Sequence, residues 1–107
     1  MSFGALDLGL LTVFEAVFET RGVSSAAERL GVRQPTVSAG LARLRVIFRD
    51  ELFVRAAGAM PPTPKALRLA TGIQDSLARL RETLADALPF SPADAERVFT
   101  LASTDYT

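Results

Sequence analysis

The stretch Ala26–Ser38, AAERLGVRQPTVS, places two adjacent alanines and a leucine ahead of a glycine, then follows with Arg-Gln-Pro-Thr and a serine. Two helices that cross steeply need small residues where they meet, because larger side chains would hold them apart. Ala26 and Ala27 meet that need, Gly31 supplies a left-handed turn, and Leu30, Val32 and Val37 plug the corner. Two helices joined by a tight glycine-containing turn make a helix-turn-helix.

The flanking sequence extends the pattern. Upstream, LDLGLLTVFEAVFETRG predicts a first helix, capped by Asp7, with Leu10, Leu11, Phe14, Val17 and Phe18 at helical spacing and Gly22 closing it. The short second helix is expected to start on Ser24 or Ser25, since Ser25 with Glu28 fits a capping box. Pro35 suits the first turn of a third helix, and Val37, Leu41, Leu44 and Phe48 form one apolar stripe along it. Gly40 inside that helix costs about 1 kcal/mol of propensity, which points to close packing or strain.

Leu52-Phe53-Val54 is β-like, Ala57-Gly58 a turn, and Met60-Pro61 a return too proline-rich for a long strand, so a small hairpin is expected. Thr63 then caps a long helix with Pro64 in its first turn, running to about Leu88 before Pro89. Ala66, Ala70, Ile73, Leu77, Leu80, Leu84 and Ala87 recur at alternating spacings of four and three, a heptad seam. A partner helix is the favoured cover, with Ile73, Leu77, Leu80 and Leu84 as dimerisation residues; the alternative is that the seam packs back on its own domain. A β-strand is expected from Arg97, and a lone strand implies a further sheet-containing domain. The expected class is mainly α: a winged helix-turn-helix over residues 1–63, a dimerising linker helix over 64–89, and a hinge and first strand over 90–107.

Composition narrows the function. The chain has 107 residues, no cysteine and no histidine, which removes thiolate nucleophiles, the usual general base near neutral pH and the commonest metal ligands. Asp50 and Glu51 are adjacent and Lys65 is the only lysine, so an enzyme is disfavoured; no metal site or cofactor is expected, as no glycine-rich phosphate loop occurs. No membrane span or secretory signal is apparent, and the cytoplasm is the default location. Net charge is zero, yet residues 21–68 carry nine bases against three acids, a net of +6, between acidic ends. A basic centre is a candidate footprint for a polyanion. Thr36, Ala39 and Arg43 project opposite the apolar stripe of the third helix, flanked by Gln34 and Ser38. Gln34 can offer an amide to adenine, Ser38 and Thr36 can bond base edges or phosphate, and Arg33, Arg43, Arg45, Arg49 and Arg55 are available for phosphate or guanine. A protein-interaction module centred on the seam helix is the competing possibility, favoured slightly by the zero net charge.

SSAAERLGVRQPTVSAGLARLR, followed by LFVR and PT, resembles the N-terminal domain of LysR-type transcriptional regulators, particularly the subgroup of nodulation and aromatic-degradation regulators. The resemblance implies sequence-specific binding of double-stranded operator DNA as a homodimer or a pair of dimers (a tetramer), in the cytoplasm at the bacterial nucleoid. It also implies contact with RNA polymerase and control by a small-molecule inducer held by a C-terminal domain largely missing here, of which Ser103 and Thr104 would be the only contacts left. Positions matching Gln34, Pro35 and Ser38 lie at the DNA in the family, with Ser24, Arg33, Thr36, Ala39, Arg43, Arg45 and Arg55 as further candidates. Arg33 stands where many members have a serine cap, Ala39 where the residue is often basic, and the hairpin AAGAM lacks the arginine frequent at its tip.

Overall fold

The computed structural model describes residues 6–87, which hold four helices: α1 Leu8–Thr20, α2 Val23–Leu30, α3 Gln34–Phe48 and α4 Pro64–Ala87. The strand expected from Arg97, and with it Ser103 and Thr104, lies outside the described residues.

Helix α1 begins as expected, the Asp7 carboxylate accepting a hydrogen bond from the Leu10 N–H at 2.9 Å. It does not end on Gly22. Arg21 takes the left-handed conformation (φ 60°), donates its N–H to the Val17 carbonyl at 2.7 Å and its Nε to the Phe18 carbonyl, and lays its guanidinium 5.0 Å over the Phe18 ring. These contacts offset the cost of a left-handed non-glycine residue. Since Arg21 has already reversed the chain, Gly22 is extended and serves as the N-cap position of α2. Ser24 and Ser25 therefore fall inside the first turn of α2 and cap nothing, a correction to the expected capping box. Gly31 does close α2, at φ 70°.

The core is built around α1, whose Val13, Phe14 and Val17 are fully buried. Ala26, Ala27 and Leu30 of α2 pack on it, as do Val37, Leu41 and Leu44 of α3. Gly40 is there for close approach: a Cβ would stand 3.2 Å from both Val13 methyl carbons. Phe53, at the base of the hairpin, meets the Phe14 ring at 5.3 Å between centroids.

The hairpin itself pairs Phe53 with Pro62 and Ala56 with Ala59 around a turn in which Ala57 and Gly58 both have positive φ. Pro61 and Pro62 lack N–H donors, so the pairing stays at two isolated bridges. Thr63 caps α4 through its Oγ1, which accepts from the Ala66 N–H at 3.2 Å.

Helix α4 runs antiparallel to α1, since Gln74 bonds Glu19 while Arg81 grips Glu15 with two hydrogen bonds of 2.6 and 3.3 Å. This placement corrects the expected dimer seam at Leu77. Ala66, Ala70 and Ile73 pack into the chain's own core, and Leu77 is fully buried within the same chain. Leu80 stays exposed and Leu84 half-buried.

The Gly40–Val13 approach sets a size limit. Replacing Gly40 with leucine should destabilise the fold by about 1–3 kcal/mol through overpacking. Gly40→Ala should change stability little, because its gain in helix propensity opposes the 3.2 Å contact. Urea unfolding followed by circular dichroism separates the two.

Candidate nucleic-acid interface

Helices α2 and α3 both start without a side-chain cap. In α3 this leaves the Gln34 N–H, since Pro35 has none and the Thr36 N–H donates to the Arg33 carbonyl at 3.0 Å; open N–H groups at a helix start favour an anion. Both starts open onto one groove of about 470 Å³, lined among others by Ser24, Ser25, Gln34, Ser38 and Arg55. Its lining includes two arginines, Arg21 and Arg55, and no carboxylate. The sequence-predicted Ser24, Gln34, Ser38 and Arg55 thus converge, with α2 and α3 on one side and the hairpin on the other.

The other candidates sit around this groove. Arg33, extended and exposed, occupies the N-cap position of α3; Pro35 is exposed in its first turn and Thr36 half-buried. Ala39 and Arg43 are exposed on the outward side of α3, as the apolar stripe predicts. Arg49 takes the left-handed position that ends α3 (φ 53°) and is exposed.

Arg45 departs from its expected role. Its Nε donates to the Glu51 carbonyl and its Nη2 to the Phe53 carbonyl, each at 2.9 Å, and the Glu51 carboxylate lies 3.7 Å away. The Arg45 guanidinium holds the start of the hairpin against α3 in place of the expected phosphate contact. Its spacing on the helix could not show this, because the acceptors are backbone carbonyls whose position depends on the path of the loop.

A second tie fixes the base of the hairpin. Leu52 is fully buried with a left-handed backbone (φ 63°), a strained state for leucine. One oxygen of Asp50 accepts from the Leu52 N–H at 2.8 Å and from the Thr63 hydroxyl at 2.6 Å, while the Leu52 carbonyl accepts from the Thr63 N–H. Lys65 donates to the Phe48 carbonyl at 2.7 Å. The end of α3, the hairpin and the start of α4 are thereby joined at one point.

Two further residues went unnoticed in the sequence. Arg21 enters the groove because it, and not Gly22, turns the chain. Val46 is 77% exposed on the outer side of α3, between Arg45 and the half-buried Ile47. Among the described residues no group of three or more acids could hold a metal ion, and no helix is long and apolar enough to cross a membrane.

The family model described as "Bacterial regulatory helix-turn-helix protein, lysR family" matches residues 8–67. The chain is 46% identical over 105 residues to the HTH-type transcriptional activator NahR of Pseudomonas putida, covering 98% of this chain and 35% of that protein. It is 40% identical over 106 residues to Nodulation protein D 2 of Rhizobium tropici, covering 99% and 34%. A crystal structure of a "probable transcriptional regulator" from Pseudomonas aeruginosa matches with a TM-score of 0.77 and 41% identity, over 81% of this chain and 29% of that one. The chain spans about a third of the length of these relatives.

The Asp50 tie predicts a pH effect. The Thr63 hydroxyl above all, then the Leu52 N–H and the charges of Lys65 and Arg68, hold its carboxyl below the ordinary 3.8 against the opposing effect of burial. A lowered folded-state value means the contribution is fully present above pH 3.8 and is lost as pH falls through the lower folded value. Thermal melts across the acid range should show wild type losing stability there more steeply than Asp50→Asn.

Proposed function

Because the chain belongs to the lysR family of bacterial regulatory helix-turn-helix proteins, we propose that it is the operator-reading part of a transcriptional regulator, with α3 seated in the major groove of double-stranded DNA. The observation that carries this is the exposed amino-terminal turn of α3, standing at the wall of an acid-free groove shared with α2 and the hairpin. A recognition helix needs short polar residues at that end so that its backbone can approach the base edges. Gln34 presents an amide suited to adenine N6 and N7, and Ser38 a hydroxyl for a base edge or phosphate. Ser24, Arg33, Arg43 and Arg55 face the phosphates, and the small Ala56–Ala59 tip lets the hairpin lie along the backbone beside the groove.

Phosphate contacts then supply most of the affinity and its salt dependence, and base contacts supply the choice of site. Symmetric half-sites would be read by two copies joined along α4. Leu77 is fully enclosed within the chain, which leaves Leu80, Leu84 and the half-buried Ile73 for that contact. The function envisaged is regulation rather than catalysis, carried out in the cytoplasm. Response to a small-molecule inducer and any contact with RNA polymerase would fall to regions beyond residue 87.

Binding to a duplex selected from random DNA, against a scrambled duplex and across a salt titration, tests the reading. The selected duplex should bind more tightly; equal affinity for both would overturn site-specific recognition. Gln34→Ala should reduce discrimination by about 1–3 kcal/mol at one base position. Arg43→Ala should weaken both duplexes together and reduce the salt slope by about one. Light scattering of Leu80→Glu should show a monomer where the parent chain is dimeric.

A further inference from the structure

Helix α3 is apolar on two sides. Its inner stripe is Val37, Leu41, Leu44 and Phe48; a second stripe, Pro35, Ala39, Ala42 and Val46, repeats the same spacing two residues earlier. Two residues turn an α-helix by about 200°, so the second stripe points away from the core. Ala39 and Ala42 are exposed there, and Val46 is the most exposed large hydrophobic residue described. Ala42, Arg43, Val46 and Ile47 line a shallow hollow of about 390 Å³.

We propose that Ala39, Ala42 and Val46 form an apolar reading edge for thymine C5-methyl groups in the major groove. The inference rests on the DNA-binding reading above and adds what the outer face of α3 selects. Each thymine presents one methyl group in the major groove, and small apolar side chains are its natural contacts. Three features make DNA the occupant. The stripe is continuous along α3 with the exposed Gln34 and Ser38 that wall the acid-free groove. The helix carries no acid, Arg43 is exposed on it and Arg49 is exposed at its end, so its surroundings suit a polyanion. Finally, alanine keeps the helix surface low, so the backbone can come close to the base edges. From Ala39 to Val46 the helix rises about 10 Å, roughly three base-pair steps. This edge therefore prefers a short thymine-containing run just beyond the bases that Gln34 reaches.

The test uses the 107-residue chain and the duplex it selects from random DNA. Each thymine is replaced singly by deoxyuridine, which removes the methyl group and keeps every hydrogen-bonding atom. At one or more positions in a half-site the affinity should fall about fourfold, the value of one buried methyl-sized group. In Ala39→Ser or Ala42→Ser that penalty should shrink, whereas Gln34→Ala should retain it. If no deoxyuridine substitution weakens a duplex that is still preferred over scrambled DNA, the reading edge is overturned and the proposed function stands. If the selected and scrambled duplexes bind equally, the proposed function itself fails. If Val46→Asp alters the oligomeric state while every deoxyuridine duplex binds like its thymine parent, the face belongs to a protein partner and the inference is overturned.

Discussion

The structure depends on the burial of α1. Val13, Phe14 and Val17 are fully enclosed, and α2, α3 and α4 each pack on this one helix. A single 13-residue helix serving three partners leaves little tolerance in side-chain size, which explains Gly40 opposite Val13 and the alanine pair of α2. It also decides what faces outward. Once α3 is pressed against α1 by its inner stripe, the residues two positions ahead of that stripe point to solvent, and the amino-terminal turn of α3 projects beside the start of α2.

The hairpin is held by different means. It has only two bridges of its own and its return segment is rich in proline, so its position comes from outside. Phe53 plugs into the core beside Phe14, Arg45 spans from α3 to two carbonyls at the hairpin's start, and Asp50 joins Leu52 to Thr63. The strained backbone of Leu52 persists because these contacts over-determine it. A groove with one wall on helices and the other on a braced hairpin keeps its width without a sheet.

Much of this was legible in the residues. Ala26, Ala27 and Gly31 gave the helix crossing and its turn, and Asp7 and Thr63 are caps that act within three residues. The Val37–Phe48 periodicity assigned the buried side of α3. What stayed hidden depended on chain path. Gly22 and Ser25 were good candidates for a closing turn and a cap, but a preceding arginine stabilised by its own contacts took over the turn. Arg45 looked like a surface cation because its acceptors are backbone oxygens. The α4 seam had a correct apolar spacing, and spacing alone does not name the surface that covers it; α1 covers half. On the outer stripe of α3, Pro35 and Ala39 stand out in the sequence, whereas Ala42 reads as neutral filler in a helix.

The antiparallel docking of α4 on α1 has a mechanical side. At 24 residues the helix is about 36 Å long, and one face of its first half packs on the core while the Arg81–Glu15 grip fastens it farther along. A rod clamped this way behaves as a stiff beam: a torque applied near Ala87 cannot be absorbed by a pivot in the middle. If the whole body turned about Pro64 by about ten degrees, Ala87 would move by roughly 6 Å over this length. The displacement would reach the reading head as a rotation of the whole body, because the clamp and the core would turn together.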